Sequence, residues 1–236
     1  MPGDRVAGQR ALNNREVHTW FFSLNAIPEK IESMRKFLTA EECRRADRYR
    51  LPELSRKYTV ARGMQRTILG VYSQTRPEEV SFDYTTNGKP VLPGSELHFN
   101  LSHSGEYGIL AVAKGRKVGI DLEYIRPVSV LSIAKRYFMP DEYGYLASLA
   151  DAEQLKAFYR LWTCKEAFVK AHGLALSDYL TDVGVSVPLG NGTPRVWLKE
   201  GKDRENAWEV YELKPVEGVV AALAVEGENK QALGIR

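Results

Sequence analysis

The chain has 236 residues, 44% of them hydrophobic and 27% charged, with a net charge of +3, the composition of an ordinary folded protein long enough for one large domain or two smaller ones. Its two cysteines, Cys43 and Cys164, stand far apart with no Cys-x-x-Cys or Cys/His spacing, which argues against a disulfide framework or a zinc site and fits a reducing cytoplasm. The longest apolar stretches, such as residues 219–225, are strand-length, and residues 1–15 lack an apolar run, so no membrane segment is expected.

In chain order, residues 1–15 read as a disordered leader, and residues 17–24 as a strand because bulky apolar residues alternate with others. Thr39-Ala40-Glu41-Glu42 has the capping-box pattern, threonine followed three residues later by glutamate, so a short basic helix starts there and is interrupted at Pro52. Leu54, Tyr58, Ala61, Ile68 and Tyr72 keep helical spacing and predict a longer amphipathic helix, closed by Arg76-Pro77. Residues 80–84, 97–100, 109–113 and 117–123 read as strands. Asn87-Gly88 marks a turn, and Lys114-Gly115-Arg116 is expected to join the last two strands as a hairpin. Residues 131–138 and 141–149 predict two short helices split by Pro140, and residues 152–171 a long one ended by Gly173. Further strands are expected at 183–187, 195–198, 207–213 and 219–225, punctuated by Pro188, Gly190, Gly192 and Pro194.

Both halves thus hold one long helix and several hairpin-compatible strands. The simplest architecture is α+β, with two similar subdomains, residues 16–115 and 116–236, meeting between Lys114 and Lys117. Charge is unevenly spread: residues 39–66 hold eight basic residues against four acidic ones. Such a region suits an anionic ligand, an acidic protein or nucleic acid, and equally a solvated helix face.

Chemistry concentrates in the second half. In Gly119-Ile120-Asp121-Leu122-Glu123 the two carboxylates are two apart, so on a strand both point to one face. In Trp162-Thr163-Cys164-Lys165-Glu166-Ala167-Phe168-Val169-Lys170, Glu166 and Lys170 are four apart and lie one above the other on a helix. If strand and helix meet, three hard oxygen ligands and one cation share a pocket of the kind that holds Mg²⁺ at phosphoryl-transfer sites. Taken singly, the strand acids are equally an exposed pair and Glu166/Lys170 a surface ion pair. Lys165 falls near the middle of the apolar arc, where its ammonium needs a carboxylate or phosphate to meet it. Upstream, Phe99-Asn100-Leu101-Ser102-His103-Ser104-Gly105 places hydroxyls and an imidazole at the end of a strand, either as a phosphate contact or as a polar turn.

Together these segments resemble the 4′-phosphopantetheinyl transferases of the Sfp-like, surfactin-synthetase-activator type. The resemblance runs through Gly88-Lys89-Pro90, residues 99–104, residues 119–123 and residues 162–170, in that order, and through Ile133-Ala134-Lys135-Arg136-Tyr137-Phe138 after the acidic strand. It implies a monomeric fold of two pseudo-symmetric subdomains, each a small antiparallel sheet with a long helix. It also implies a Mg²⁺-dependent enzyme that moves 4′-phosphopantetheine from coenzyme A to a serine of an apo acyl or peptidyl carrier protein, with no role for nucleic acid or membrane. By the same resemblance Asp121, Glu123 and Glu166 would hold Mg²⁺, Lys170 the pyrophosphate, and Ser102, His103, Lys89 and Arg62 the adenosine-side phosphates. Glu166, directly or through water, is the favoured general base, with Lys170 and a metal-bound water as the other choices. Residues 125–138, with Arg126, Lys135 and Arg136, are the candidate carrier-docking segment. A non-catalytic coenzyme A or nucleotide binder is the alternative, and a nucleic-acid binder a further rival that needs the basic segment but no carboxylates.

Overall fold

In the computed structural model, which describes residues 12–174, 180–188, 194–199, 208–227 and 233–235, the chain enters as a strand, β1 (Val17–Ser23). Most of the expected leader, with Gly190, Gly192 and Ala207, lies outside the described residues. Helix α1 (Pro28–Arg35) follows; its polar sequence carries little apolar period and no expectation preceded it. Helix α2 (Ala40–Asp47) is capped as its sequence predicts: the Thr39 hydroxyl accepts from Glu42 N at 3.2 Å, and the Glu42 carboxylate accepts from Thr39 N at 2.9 Å. Pro52 separates it from α3 (Pro52–Ser73) by serving as the first residue of that helix, where a missing N–H costs nothing. The helix ends at Gln74, in the left-handed region at φ 56°, before Arg76-Pro77 is reached.

Two short strands, β2 (Asp83–Tyr84) and β3 (Pro90–Val91), flank the Asn87-Gly88 turn. Then come β4 (Leu97–Ser104), β5 (Tyr107–Lys114) and β6 (Val118–Tyr124). Helices α4 (Val130–Tyr137), α5 (Pro140–Ala147) and α6 (Asp151–His172) lead to β7 (Val183–Val185), β8 (Val196–Leu198), β9 (Trp208–Leu213), β10 (Val219–Glu226) and β11 (Leu233–Ile235). One sheet has the order β11-β1-β5-β4 and a second β6-β10-β9, while β2–β3 and β7–β8 are separate ribbons. Within the two sheets every pairing is antiparallel except β11 with β1.

The hairpin expected at Lys114-Gly115-Arg116 does not form. Both edges of β5 are occupied, by β1 and by β4, so β6 has no backbone edge to join there and pairs with β10 instead. Ile109, Ala111 and Ala113 of β5 meet Ile120, Leu122, Leu223 and Val225 of the second sheet in a core between the sheets. The opposite face of β5, through Leu110 and Val112, packs with Ile68 and Leu69 of α3. On the outer face of the second sheet, Val220, Ala222 and Ala224 pack with Leu161, Cys164 and Phe168 of α6. The layers therefore run α3, first sheet, second sheet, α6, and β5 is apolar on both faces because both are covered.

Lys165 finds the carboxylate its position demands. Fully buried, its ammonium lies 2.7 Å from Glu142 of α5 and donates to the Val183 carbonyl at 2.6 Å and that of Leu180 at 3.1 Å. Both cysteines are free thiols, Cys164 buried. Among the described residues, no helix is long and apolar enough to cross a membrane.

Candidate active site

Alternation along β6 sends Val118, Ile120 and Leu122 into the core between the sheets and turns Gly119, Asp121 and Glu123 toward α6. Gly119 lets the helix come close: a Cβ there would sit 2.1 Å from the Ala167 carbonyl oxygen and 2.3 Å from Ala171 N. That approach sets the acidic strand directly under Glu166 and Lys170. The Lys170 ammonium donates to Asp121 Oδ1 at 2.6 Å and lies 3.9 Å from Glu166 Oε2. The ion pair between strand and helix is thus made across about fifty residues of sequence.

Strand β4 supplies the third wall. It continues through Ser104 instead of ending near Asn100, so Asn100, Ser102 and Ser104 share one face, turned to β6. No ladder joins these strands. Side chains bridge them: Asn100 Oδ1 accepts from Ile120 N at 2.8 Å, and Ser102 Oγ accepts from Leu122 N at 3.3 Å. The Ser102 hydroxyl also donates to Asp121 Oδ1 at 2.9 Å and accepts from Lys170 at 3.2 Å, using its one donor and both acceptor sites. Ser104 donates to Glu123 Oε2 at 2.6 Å. Asn100 and Ser104 lie inside the motif read from the sequence, but only the strand's period of two assigns them a role.

Three carboxylates face one ammonium, and the electrostatics follow. Burial, followed by repulsion from Asp121, pushes the Glu166 carboxyl up to about 8. Burial also raises Glu123 against the opposing hydrogen bond from Ser104. Burial works against the Lys170 charge, yet Asp121 and Glu166 together hold its ammonium above the ordinary lysine value. Among the described residues no three carboxylate, imidazole or thiol groups are closed around one point as a ready-made cage, since Lys170 fills the centre. The donor set nevertheless fits a hard divalent cation: it is all oxygen, carries excess negative charge, and leaves Asp121 Oδ2 buried with no hydrogen-bond partner.

The other expected phosphate ligands stand apart. His103 is on the opposite face of β4 from Ser102, and burial, then Lys170, holds its imidazole below the usual value. Arg62 is engaged on all sides, by Glu42 Oε1, Gln65 Oε1 and the Tyr84 hydroxyl, each at 2.6 Å. Lys89 is turned to backbone carbonyls. Near Arg62, a cleft of about 380 Å³ opens between α2 and residues 78–84, lined by Arg45, Tyr58, Phe82 and Tyr84 among others.

The profile of the 4′-phosphopantetheinyl transferase superfamily matches residues 117–224, and one described as 4′-phosphopantetheinyl transferase, N-terminal, matches residues 23–115. The 4′-phosphopantetheinyl transferase HetI of Nostoc sp. is 42% identical over 90% of this chain and 88% of its own length. The 4′-phosphopantetheinyl transferase psf-1 of Bacillus pumilus is 36% identical over 71% of this chain and 68% of its own. For the 4′-phosphopantetheinyl transferase Sfp of Bacillus subtilis (strain 168) the identity is 33%, over 63% and 66%.

Proposed function

The chain belongs to the 4′-phosphopantetheinyl transferase superfamily, and we propose that the pocket between β4, β6 and α6 is where it does that chemistry. As a 4′-phosphopantetheinyl transferase it moves the 4′-phosphopantetheine arm of coenzyme A onto a serine hydroxyl of an apo acyl or peptidyl carrier protein, releasing adenosine 3′,5′-bisphosphate. The observation that carries the assignment to this pocket is the meeting of Asp121, Ser102 and Lys170 within hydrogen-bond distance beside Glu166, with one Asp121 oxygen buried and unpartnered.

Asp121, Glu123 and Glu166 would hold Mg²⁺, which when bound to a pyrophosphate neutralises charge on the leaving group. Lys170 exchanges part of its contact with Asp121 for pyrophosphate oxygens, acting as a point charge. Ser102 orients Asp121 and Lys170 at once. Glu166, half a turn of helix from the core and only 4% exposed, is the carboxylate placed to take the carrier serine's proton, directly or through a water. The adenosine end of coenzyme A would lie toward His103 and the aromatic, Arg45-lined cleft. Exposed Arg126, Lys135 and Arg136, on α4 and the segment leading to it from β6, suit an acidic carrier surface. The protein would act as a cytoplasmic monomer.

Intact-mass spectrometry of apo carriers incubated with the protein, coenzyme A and Mg²⁺ tests the reading. A mass gain of one phosphopantetheine is expected, and reversing charge at Lys135 and Arg136 should slow it and flatten its dependence on salt. Tight coenzyme A binding with no carrier modified would favour the non-catalytic binder. An unchanged salt slope would move the docking surface elsewhere.

Metal removal has a signed consequence. A carboxyl group whose folded value exceeds its unfolded one binds more protons folded than unfolded, so stability falls as pH rises from the ordinary 4.5 toward the raised 8 of Glu166. Metal-free protein should therefore lose thermal stability across that window. Mg²⁺ should restore several degrees at pH 8 and hardly any at pH 5, where protons occupy its ligands. Equal Mg²⁺ effects at both pH values would count against the carboxylate site.

A further inference from the structure

The Lys89 ammonium donates to the carbonyl of Lys170 at 2.6 Å, that of Val118 at 3.1 Å and that of Ala171 at 3.5 Å. Two of these carbonyls belong to the last turn of α6, where they have no partner further along the helix, and the third to the first residue of β6. On the same turn, Asn87 donates to the Gly173 carbonyl at 2.7 Å. The end of α6 is therefore capped twice. Gly173, at φ 68°, returns its own N–H and that of Leu174 to the Lys170 and Val169 carbonyls, each at 3.2 Å, while a turn from the other half of the chain covers it from outside.

We propose that Lys89 is a positioning residue for the transfer reaction: by holding the Lys170 and Ala171 carbonyls against Val118, it fixes the backbone from which the Lys170 side chain reaches Asp121 and the pyrophosphate. It does not itself bind coenzyme A. This rests on the reading of Lys170 as the pyrophosphate ligand. Three features support it. Every polar contact of the Lys89 ammonium is a carbonyl oxygen, which leaves no hydrogen directed at a ligand. A cation at a helix C-terminus is also favoured by the helix dipole. Burial, with Lys117 adding to it, lowers the Lys89 amine to about 8, as for a group shut away from water.

The test separates positioning from ligand binding. Lys89→Met keeps the apolar stem and removes the donors; it is expected to lower kcat about tenfold while KM and calorimetric affinity for coenzyme A stay within about twofold. In a Lys170→Met background the same substitution should change kcat less than about twofold, because its effect passes through Lys170. Amide hydrogen exchange in residues 168–174 should quicken in Lys89→Met, a readout that needs no turnover. A tenfold rise in KM at unchanged kcat would make Lys89 a coenzyme A ligand and overturn the proposal. Equal losses in both backgrounds, or unchanged exchange at the end of α6, would overturn it as well. If the wild-type protein modified no carrier, the functional reading would fall, and the exchange result would still decide whether Lys89 clamps the helix.

Discussion

Asp121→Asn is expected to cut carrier modification by roughly two to three orders of magnitude while leaving the metal-free protein as stable as before or slightly more so. In the metal-free pocket three carboxylates surround one ammonium, so removing a negative charge relieves repulsion on Glu166 and Glu123. The amide oxygen keeps the shape of the side chain and still accepts from Ser102 and Lys170. The lost charge matters once a divalent cation and a pyrophosphate must be held there. Turnover at saturating Mg²⁺ and coenzyme A, together with the thermal midpoint in chelator, checks both halves of the expectation. Retention of more than about a tenth of the turnover would remove Asp121 from the metal site, and a large fall in midpoint would make it a structural residue.

Gly119→Ala should be damaging for the opposite reason, since it removes no chemical group. The added methyl would meet the Ala167 carbonyl oxygen at 2.1 Å and Ala171 N at 2.3 Å, both backbone atoms with no rotamer to change. Helix α6 must lift from β6, at a cost of about 1–3 kcal/mol by overpacking. A displacement of about 1 Å between Asp121 and the Glu166/Lys170 pair lowers turnover about a hundredfold. Here the midpoint and kcat fall together, which separates this variant from Asp121→Asn. Wild-type turnover in Gly119→Ala would mean the helix can give without disturbing the site.

How much of this is legible in the chain follows from the range of each interaction. Asp121/Glu123 and Glu166/Lys170 are readable because each pair is a local period, two on a strand and four on a helix. That the two elements touch depends on a missing side chain at Gly119, and no periodicity announces it. The run Asn-Leu-Ser-His-Ser reads as a turn because its residues favour turns. It is a strand because β5 supplies a ladder on one side and β6 receives its polar side chains on the other. Lys165 signals that it needs a carboxylate without saying which, and Glu142 comes from a helix whose own pattern gives no hint. Arg62 and Lys89 look like free cations in a sequence. Their partners, a carboxylate, an amide and a phenol for one and three carbonyls for the other, come from several separate elements. The expected hairpin at Gly115 is the same lesson in reverse: a good turn needs a vacant edge, and β5 has none.

The side-chain stitching between β4 and β6 bears on how related chains should be judged. Asn100 and Ser102 are the rivets of a join that no backbone ladder secures, so a descendant that had given up transfer would still need them to keep its halves aligned. Persistence of that run is thus testimony to architecture more than to turnover. Asp121, whose second oxygen has nothing structural to do, is the better witness: a lineage freed from the reaction has no reason to keep a buried, half-unpartnered carboxylate there.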